Sequence, residues 1–448
     1  MARDFRPYLP DQAYLLPQSP RDWLPEGHLA LFLADAVSQL DLGAVLRRYR
    51  HGRGPQAYHP QMLLTVLLYG YCTGVFSSRK IASRCETDVA FRVLSAGQFP
   101  DFRTLSDFRK DHLPVFKQLF LAVLRLCKEA GLARLGHLSL DGTKFQANAS
   151  KHKAMSYRRI QEAEPQLEQE IRELVQKAAD ADAAEDAEYG PDQRGDELPE
   201  ELRRREGRLA KIREAKRRLE ERARTRAREQ AAARGATPEE VAAAEAAAQP
   251  SPKEQSNFTD PDSRIMKTKT GWVQGYNAQV LVNEAGIILA EEVTASHADS
   301  PRLVPVLDQL DANLRAIGVP EKERWNGVFT ADAGYCSEAN LTDLAARPID
   351  AYVATGRERH HRAGIDPRGK PRTPLRSAMR AKLATPDGHA VYARRKVMTE
   401  PVFGQEKHAR GFRQCLLRGA KKVAGELTLV HLTHNLLKLW RALAPVAA

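Results

Sequence analysis

The sequence predicts an α/β protein in which a mixed sheet with flanking helices is preceded by an all-α region and interrupted by a coiled-coil hairpin of helices. Three observations lead there. Residues 27–132 carry apolar side chains at three- and four-residue spacing. Residues 157–248 consist largely of Ala, Glu, Arg and Gln, with almost no aromatics. Short apolar runs of strand character stand on both sides of that block, so it interrupts a sheet. At 448 residues the chain also exceeds what one core usually supports, and two or three regions are expected.

In chain order, "LALFLADAVSQL", "MLLTVLLYGYC" and "LPVFKQLFLAVLRLCKEAGL" read as helices, the last closed by Gly131 as a C-cap. Between them "SSRKIASRCETDVAFRVLSAG" gives two short helical pieces with Arg79, Lys80, Arg84 and Arg92 on polar positions, either a helix-turn-helix or an ordinary helical corner. "HLSLDGTKFQANAS" then alternates as a buried strand that stops at Asp141 and an Asp-Gly turn. Ile160, Leu167, Ile171, Leu174 and Ala178, and later Leu202, Leu209, Ile212, Leu219 and Ala223, recur at coiled-coil spacing. "DAEYGPDQRGDELP" between the two sets makes an antiparallel hairpin the simplest arrangement, its seam either self-packed or shared between protomers. A third short helix starts at Thr237, with Pro238 in its first turn and Glu240 completing a capping box.

Beyond the hairpin, "GYNAQVLVNEAG" and "IILAEEVTA" form a β-hairpin turning at Asn283 to Gly286. A helix, the strand "GVFTADAGY", the helix "SEANLTDLAAR", the strand "DAYVATG" and a helical region from about Glu400 complete the chain. The regions are therefore 1–132, helical; 133–156, the first strand of the sheet domain; 157–256, the insertion; and 257–448, the rest of the sheet domain.

Composition narrows the function. Lys and Arg number 69 against 57 Asp and Glu, a net +12 with a pI near 9.4, which favours a polyanionic partner, nucleic acid first. The five cysteines, Cys72, Cys85, Cys127, Cys336 and Cys415, are scattered and form no C-x-x-C, which argues against a disulfide framework or zinc knuckle and for a reducing cytoplasm. The most apolar run, from Met62, is too short to cross a bilayer.

Chemistry enters with two acids. "LSLDG" and "FTADAGY" each deliver an aspartate, Asp141 and Asp332, from an apolar strand into small residues. Neighbouring strands would set these carboxylates side by side, where mutual repulsion calls for a cation between them, and Mg²⁺ with its preference for oxygen fits. Glu400 is the third candidate. Pro401 after it is tolerated in a first helical turn, which puts Glu400 at a helix start, and Lys407, seven residues on, then shares its face for phosphate. Glu406 is the runner-up acid. Arg394, Arg395 and Lys396 crowd the same region. A basic run after Gly356, with Arg357, Arg359, Arg362, Arg368, Lys370, Arg372, Arg376, Arg380 and Lys382, reads either as a DNA-tracking segment or as a solvated loop. His431 and His434 in "HLTH" are read as packing rather than metal ligands, and Trp272 as a core or surface aromatic rather than a base-stacking one.

The combination of "LSLDGTKFQANAS", "GYNAQ", "FTADAGY", "YARRKVMTEPVFGQEK", "ARGFRQCLLRG" and "HLTHNLLKL" resembles the DDE transposases of bacterial insertion sequences. "YHPQMLLTVLLYGYCTGVFSSRKIA" and "FPDFRTLSDFR" are similar to that group's helical leader region, so the likeness spans nearly all of the chain outside the hairpin tip. It implies an RNase H-like catalytic core with an acidic triad at Asp141, Asp332 and Glu400, and a tyrosine, arginine and lysine at Tyr392, Arg395 and Lys407. The arginine departs from the pattern: Lys396 stands four residues before Glu400 and Arg395 five. The resemblance further implies two Mg²⁺ ions, with Mn²⁺ able to substitute, and in-line displacement at a scissile phosphate. Its partners would be double-stranded DNA, as terminal inverted repeats and as target, on which a homodimer acts. Arg394, Lys396, Arg410, Arg357 and Arg359 join Tyr392, Arg395 and Lys407 as expected DNA contacts, in a cytoplasmic protein with no membrane association. A non-catalytic DNA binder of the same fold, or a nuclease without strand transfer, are the alternatives.

Overall fold

In the computed structural model, which describes residues 19–47, 57–189, 200–268, 271–356 and 373–443, the N-terminal pattern becomes a run of helices. These are α1 (Leu29–Ser38), α2 (Gly43–Leu46), α3 (Pro60–Cys72), α4 (Ser78–Thr87), α5 (Val89–Leu94), α6 (Phe102–Asp111) and α7 (Leu113–Glu129). Helix α3 begins with Pro60 in its first turn and is buried along nearly its whole length, as its unbroken apolar sequence requires. Gly131, at φ +70°, ends α7 in the left-handed conformation open to glycine. Asp88 alone separates α4 from α5, capping α5 through Ala90 and Phe91 N–H.

Strand β1 (His137–Gln146) follows, then β2 (Ala154–Ser156) and the insertion: α8 (Tyr157–Tyr189), α9 (Glu200–Ala233) and α10 (Pro238–Ala246). Tyr157 bonds Glu220, Glu164 pairs with Arg213, and Glu170 with Arg205, an order that makes α8 and α9 antiparallel. Ile160 and Leu167 pack with Leu209, Ile212 and Leu219, so the described part of the seam is satisfied within one chain. Residues 190–199 lie outside the described residues. Thr237 and Glu240 form the expected capping box of α10.

Strands β3 (Gln255–Asn257), β4 (Arg264–Thr268), β5 (Gly271–Asn283) and β6 (Ile288–Thr294) come next, then α11 (Leu303–Ala316), β7 (Val328–Ala331), α12 (Glu338–Ala346) and β8 (Asp350–Val353). The main sheet runs β4-β5-β1-β7-β8, with β6 paired to the C-terminal half of β5. β1 is antiparallel to β5 and parallel to β7, so the first strand and the strand after α11 are neighbours. β2 and β3 make a separate two-stranded ladder at the foot of the hairpin. β1 does not stop at Asp141: its pairing with β5 continues to Gln146, whereas its pairing with β7 ends at Leu140 opposite Ala331. The aspartate therefore sits where one neighbouring ladder ends.

The closing region starts earlier than its sequence suggests, with α13 (Pro374–Ala384), α14 (Pro386–Gly404) and α15 (Ala420–Leu443). Thr385 caps α14 and Pro386 occupies its first turn, so Glu400 lies inside the helix and not at its start. Pro401 is an interior proline, and the chain widens directly afterwards into a π-turn at Gln405–Ala409. One continuous core joins the N-terminal helices, the sheet and α15. Glu426 of α15 ties them: it accepts from Leu416 N–H at 2.9 Å, Leu417 N–H at 3.0 Å and Tyr71 hydroxyl at 3.2 Å, and lies 3.8 Å from the buried Arg109 guanidinium. His431 and His434 are both buried, His431 on Glu291 and His434 between Gln405 and the Gly286 carbonyl, which makes them packing residues.

Candidate active site

Residues in register share a sheet face. Asp141, Val280 and Glu291 therefore point to the side covered by α14 and α15, and Gly142, Gln279 and Glu292 to the opposite side, toward Asp299 and Arg302. Asp141 and Asp332 each follow the last parallel pair of β1 and β7, which makes them neighbours across the end of the ladder. The Asp141 carboxyl is pushed above its usual range by burial; the Arg395 guanidinium opposes this, and the Asp332 charge adds to it.

Both oxygens of Asp141 are engaged. Oδ1 accepts from Gly142 N–H at 2.9 Å, and Oδ2 accepts from Arg395 Nη1 at 3.0 Å and Thr399 Oγ1 at 3.2 Å. Arg395 and Thr399, four residues apart, share the face of α14 that meets β1. Tyr392 lies beneath the guanidinium, 5.8 Å from ring centroid to Cζ. Asp332 caps the short turn that follows it, Oδ1 accepting from Gly334 N–H at 2.7 Å.

Glu400 is exposed, one position past Thr399 and so about 100° around the helix. Among the described residues, no three His, Cys, Asp or Glu side chains gather closely enough to hold a metal ion. The structure thus brings together two of the three expected acids and not the third. Lys407 does not share Glu400's exposed face. Its Nζ donates to Thr143 Oγ1 at 2.6 Å and Lys144 O at 2.7 Å, and sits 4.5 Å from the Phe145 ring centroid. Burial, reinforced by the charge of Lys144 and opposed by Glu406, lowers its pKa to about 8. Glu406 is fully buried, 3.8 Å from both Arg410 and His431, and belongs to the core.

The expected DNA contacts divide. Arg394 and Lys396 are exposed, with Arg394 3.5 Å from Glu284. Arg410 is a correction: it is buried, its guanidinium donating to Val430 O at 3.1 Å and Thr433 Oγ1 at 2.7 Å, so it locks α15 and cannot reach a phosphate. Arg357, Arg359, Arg362, Arg368, Lys370 and Arg372 lie outside the described residues. Farther along that basic run, Arg376 donates to Thr355 O, and Lys382 is bound to Asp350 and to Ala351 O at 2.9 Å, both tying α13 to β8 and its end.

One acid near the site escaped the sequence reading. Asp299 Oδ1 accepts from Asn277 Nδ2 and Gln279 Nε2 at 2.8 Å each and from Lys144 Nζ at 3.3 Å. In "HADSPRL" it looks like an ordinary helix cap; the better signal is Asn277 and Gln279, two polar residues at strand spacing in an otherwise apolar run.

Two carboxylates at the end of one ladder, with a lysine and an arginine beside them, offer an all-oxygen donor set that suits a hard divalent ion and leaves its other positions to water or phosphate. Two families match the chain: residues 18–111 match one described as Transposase domain (DUF772), and residues 245–436 match one described as Transposase DDE domain. No curated protein and no solved structure matches it. Among the described residues no helix is long and apolar enough to cross a membrane.

Proposed function

Because the chain belongs to the DDE transposases of insertion sequences, we propose that it binds the ends of such an element, cuts DNA there and joins the freed end to target DNA. The observation that carries this is the adjacency of Asp141 and Asp332 at the end of the β1–β7 ladder, under α14 with its Tyr392 and Arg395, while Lys407 of the π-turn that follows holds β1 just beyond Asp141. Asp141 and Asp332 would hold Mg²⁺, or Mn²⁺ in its stead, with Glu400 as the third carboxylate. Bound there, the ion supplies Lewis acidity toward phosphate oxygens and lowers the pKa of a water or 3′-hydroxyl nucleophile.

The protein's own groups do the rest. Arg395 neutralises Asp141 before substrate arrives and carries a planar fork suited to phosphate. Lys407 fixes the backbone of β1 through Thr143 and Lys144, and so sets where Asp141 stands. Exposed Arg394 and Lys396 track the backbone of the duplex. The DNA partners are the terminal repeats and the target, and two protomers act on two ends.

The test is nicking and joining of a plasmid carrying the element's ends by the full chain in Mg²⁺. Asp141→Asn and Asp332→Asn should abolish cleavage while end binding persists. Glu400→Gln tests the third acid separately: full cleavage by that variant removes Glu400 from the site and leaves the pair. Cleavage without joined product would reduce the function to a nuclease, and retained cleavage in both aspartate variants would overturn the reading.

A further inference from the structure

The motif "GYNAQ" has no part in the chemistry above, yet Asn277 and Gln279 are fully buried polar residues and require a reason. Gln279 stands opposite Gly142 on β1. A Cβ at Gly142 would lie 2.6 Å from Gln279 Nε2, so the glycine leaves the space through which the glutamine side chain crosses β1. Having crossed, its two amide ends do different work: Nε2 donates to Asp299 Oδ1 at 2.8 Å, and Oε1 accepts from the Tyr335 hydroxyl. Tyr335 closes the turn that begins at Asp332. From the other direction, Asp299 Oδ2 approaches the same turn, 3.4 Å from where a Gly334 Cβ would stand, while Gly334 N–H holds Asp332 Oδ1. A continuous path therefore runs from Asp299 through Gln279 to Tyr335 and the backbone that carries Asp332, on the sheet face opposite Arg395.

We infer that Asp299 and Gln279 are positioning residues that hold the Asp332 turn in register with Asp141, so that both carboxylates can bind one divalent cation. The inference rests on the reading of Asp141 and Asp332 as cation ligands. Asp299 itself faces the opposite side of β1 and serves as an acceptor for Lys144, Asn277 and Gln279. Partners that orient metal ligands from behind are typically worth about 10–100-fold in metal affinity.

Mn²⁺ binding to the full-length protein, followed by electron paramagnetic resonance of the free ion, gives a readout independent of cleavage. Asp299→Ala should weaken Mn²⁺ about 10-fold or more. Asp299→Asn keeps the oxygen that receives all three donors and should restore binding to within about threefold of wild type. Tyr335→Phe removes only a hydroxyl, so it remains informative if Asp299→Ala fails to fold, and it should weaken Mn²⁺ severalfold with an unchanged circular dichroism spectrum. Wild-type affinity in folded Asp299→Ala or in Tyr335→Phe overturns the positioning role while leaving the metal reading intact. Equal Mn²⁺ binding by wild type and Asp141→Asn overturns the metal reading, and the positioning role with it.

Discussion

Replacing Lys407 by Met should alter how stability depends on pH in a manner computable from the structure. The ammonium is drawn into the protein to reach Thr143 Oγ1 and Lys144 O, and burial lowers its pKa from the ordinary 10.5 to about 8. The unfolded chain keeps its proton up to about pH 10.5, whereas the folded chain releases it near 8. Between those values the unfolded state binds the extra proton, so stability rises with pH across that window and the charged lysine is a net cost below it. About 2.5 units at 1.36 kcal/mol each sets a ceiling of roughly 3 kcal/mol, lowered toward 2 because water still reaches part of the side chain. Urea denaturation of wild type and Lys407→Met from pH 7 to pH 10 should show their difference moving in favour of wild type by about 1.5–2 kcal/mol. Tyrosines and cysteines titrate in both proteins and cancel. Parallel curves would refute the argument, for they would mean that Nζ is as well solvated in the fold as outside it. DNA cleavage by the variant should fall even where its stability at pH 7 does not, since the charge is retained at a cost to the fold.

Asp332→Asn should stabilise the protein in chelator at pH 7 by about 1 kcal/mol, because it removes a like charge that raises the Asp141 carboxyl and keeps the oxygen that caps Gly334; chemical denaturation measures it, and destabilisation would count against the repulsion. The sign follows from Asp141: a raised carboxyl costs stability as pH climbs through its folded value, so the gain should vanish in acid, where Asp141 is protonated in either protein. Gly142→Ala should cost about 1–3 kcal/mol and loosen Mn²⁺ as Asp299→Ala does, because its Cβ would displace the Gln279 amide; wild-type denaturation and affinity would mean that the side chain has another path. Glu426→Ala should cost about 3–5 kcal/mol by leaving Arg109 buried and the Leu416 and Leu417 amides unpaired, visible as a lower denaturation midpoint for the entire chain and not for one end alone.

The parts of this fold that were legible in the sequence are those whose signal is local. Helix α3 announces itself by an unbroken apolar run, α10 by its capping box, the β5–β6 turn by Asn283 and Gly286, and the hairpin by its heptads. The pairing of β1 with β7 was legible for a different reason, since two strands each ending a run of apolar residues on an aspartate are best accommodated side by side. What stayed hidden depends on tertiary partners. β3 is short and wholly polar and β4 carries only Ile265 and Met266 as apolar residues, so nothing but their pairing defines them as strands. Arg410 reads as a DNA contact because arginines at basic motifs usually are exposed, and only the packing of α15 across it supplies the carbonyls that make burial tolerable.

The sharpest divergence concerns Glu400 and Lys407, and it has one structural cause. In a regular helix seven residues bring the chain back to within about 20° of the same face, which is why the two were expected to act together. That expectation also needed Pro401 to mark a helix start, and the cap at Thr385 with Pro386 already supplies one fifteen residues earlier. With Pro401 inside α14, the Val397 carbonyl loses its helical donor, and the chain passes into the wider π-turn at Gln405–Ala409 before Lys407 is placed. The wider turn directs Lys407 toward β1 and Glu406 into the core, while Glu400, upstream of it, keeps the exposed position that ordinary helical geometry assigns one step beyond Thr399. The proline and the wide turn thus bear on Lys407 and Glu406, whereas the groups that meet Asp141, Arg395 and Thr399, stand upstream on the regular part of α14. If that is the cause, Pro401→Ala should lengthen the regular helix and reorient Lys407, and a crystal structure of that variant with Lys407 still on Thr143 would show that the sheet, not the proline, sets its direction.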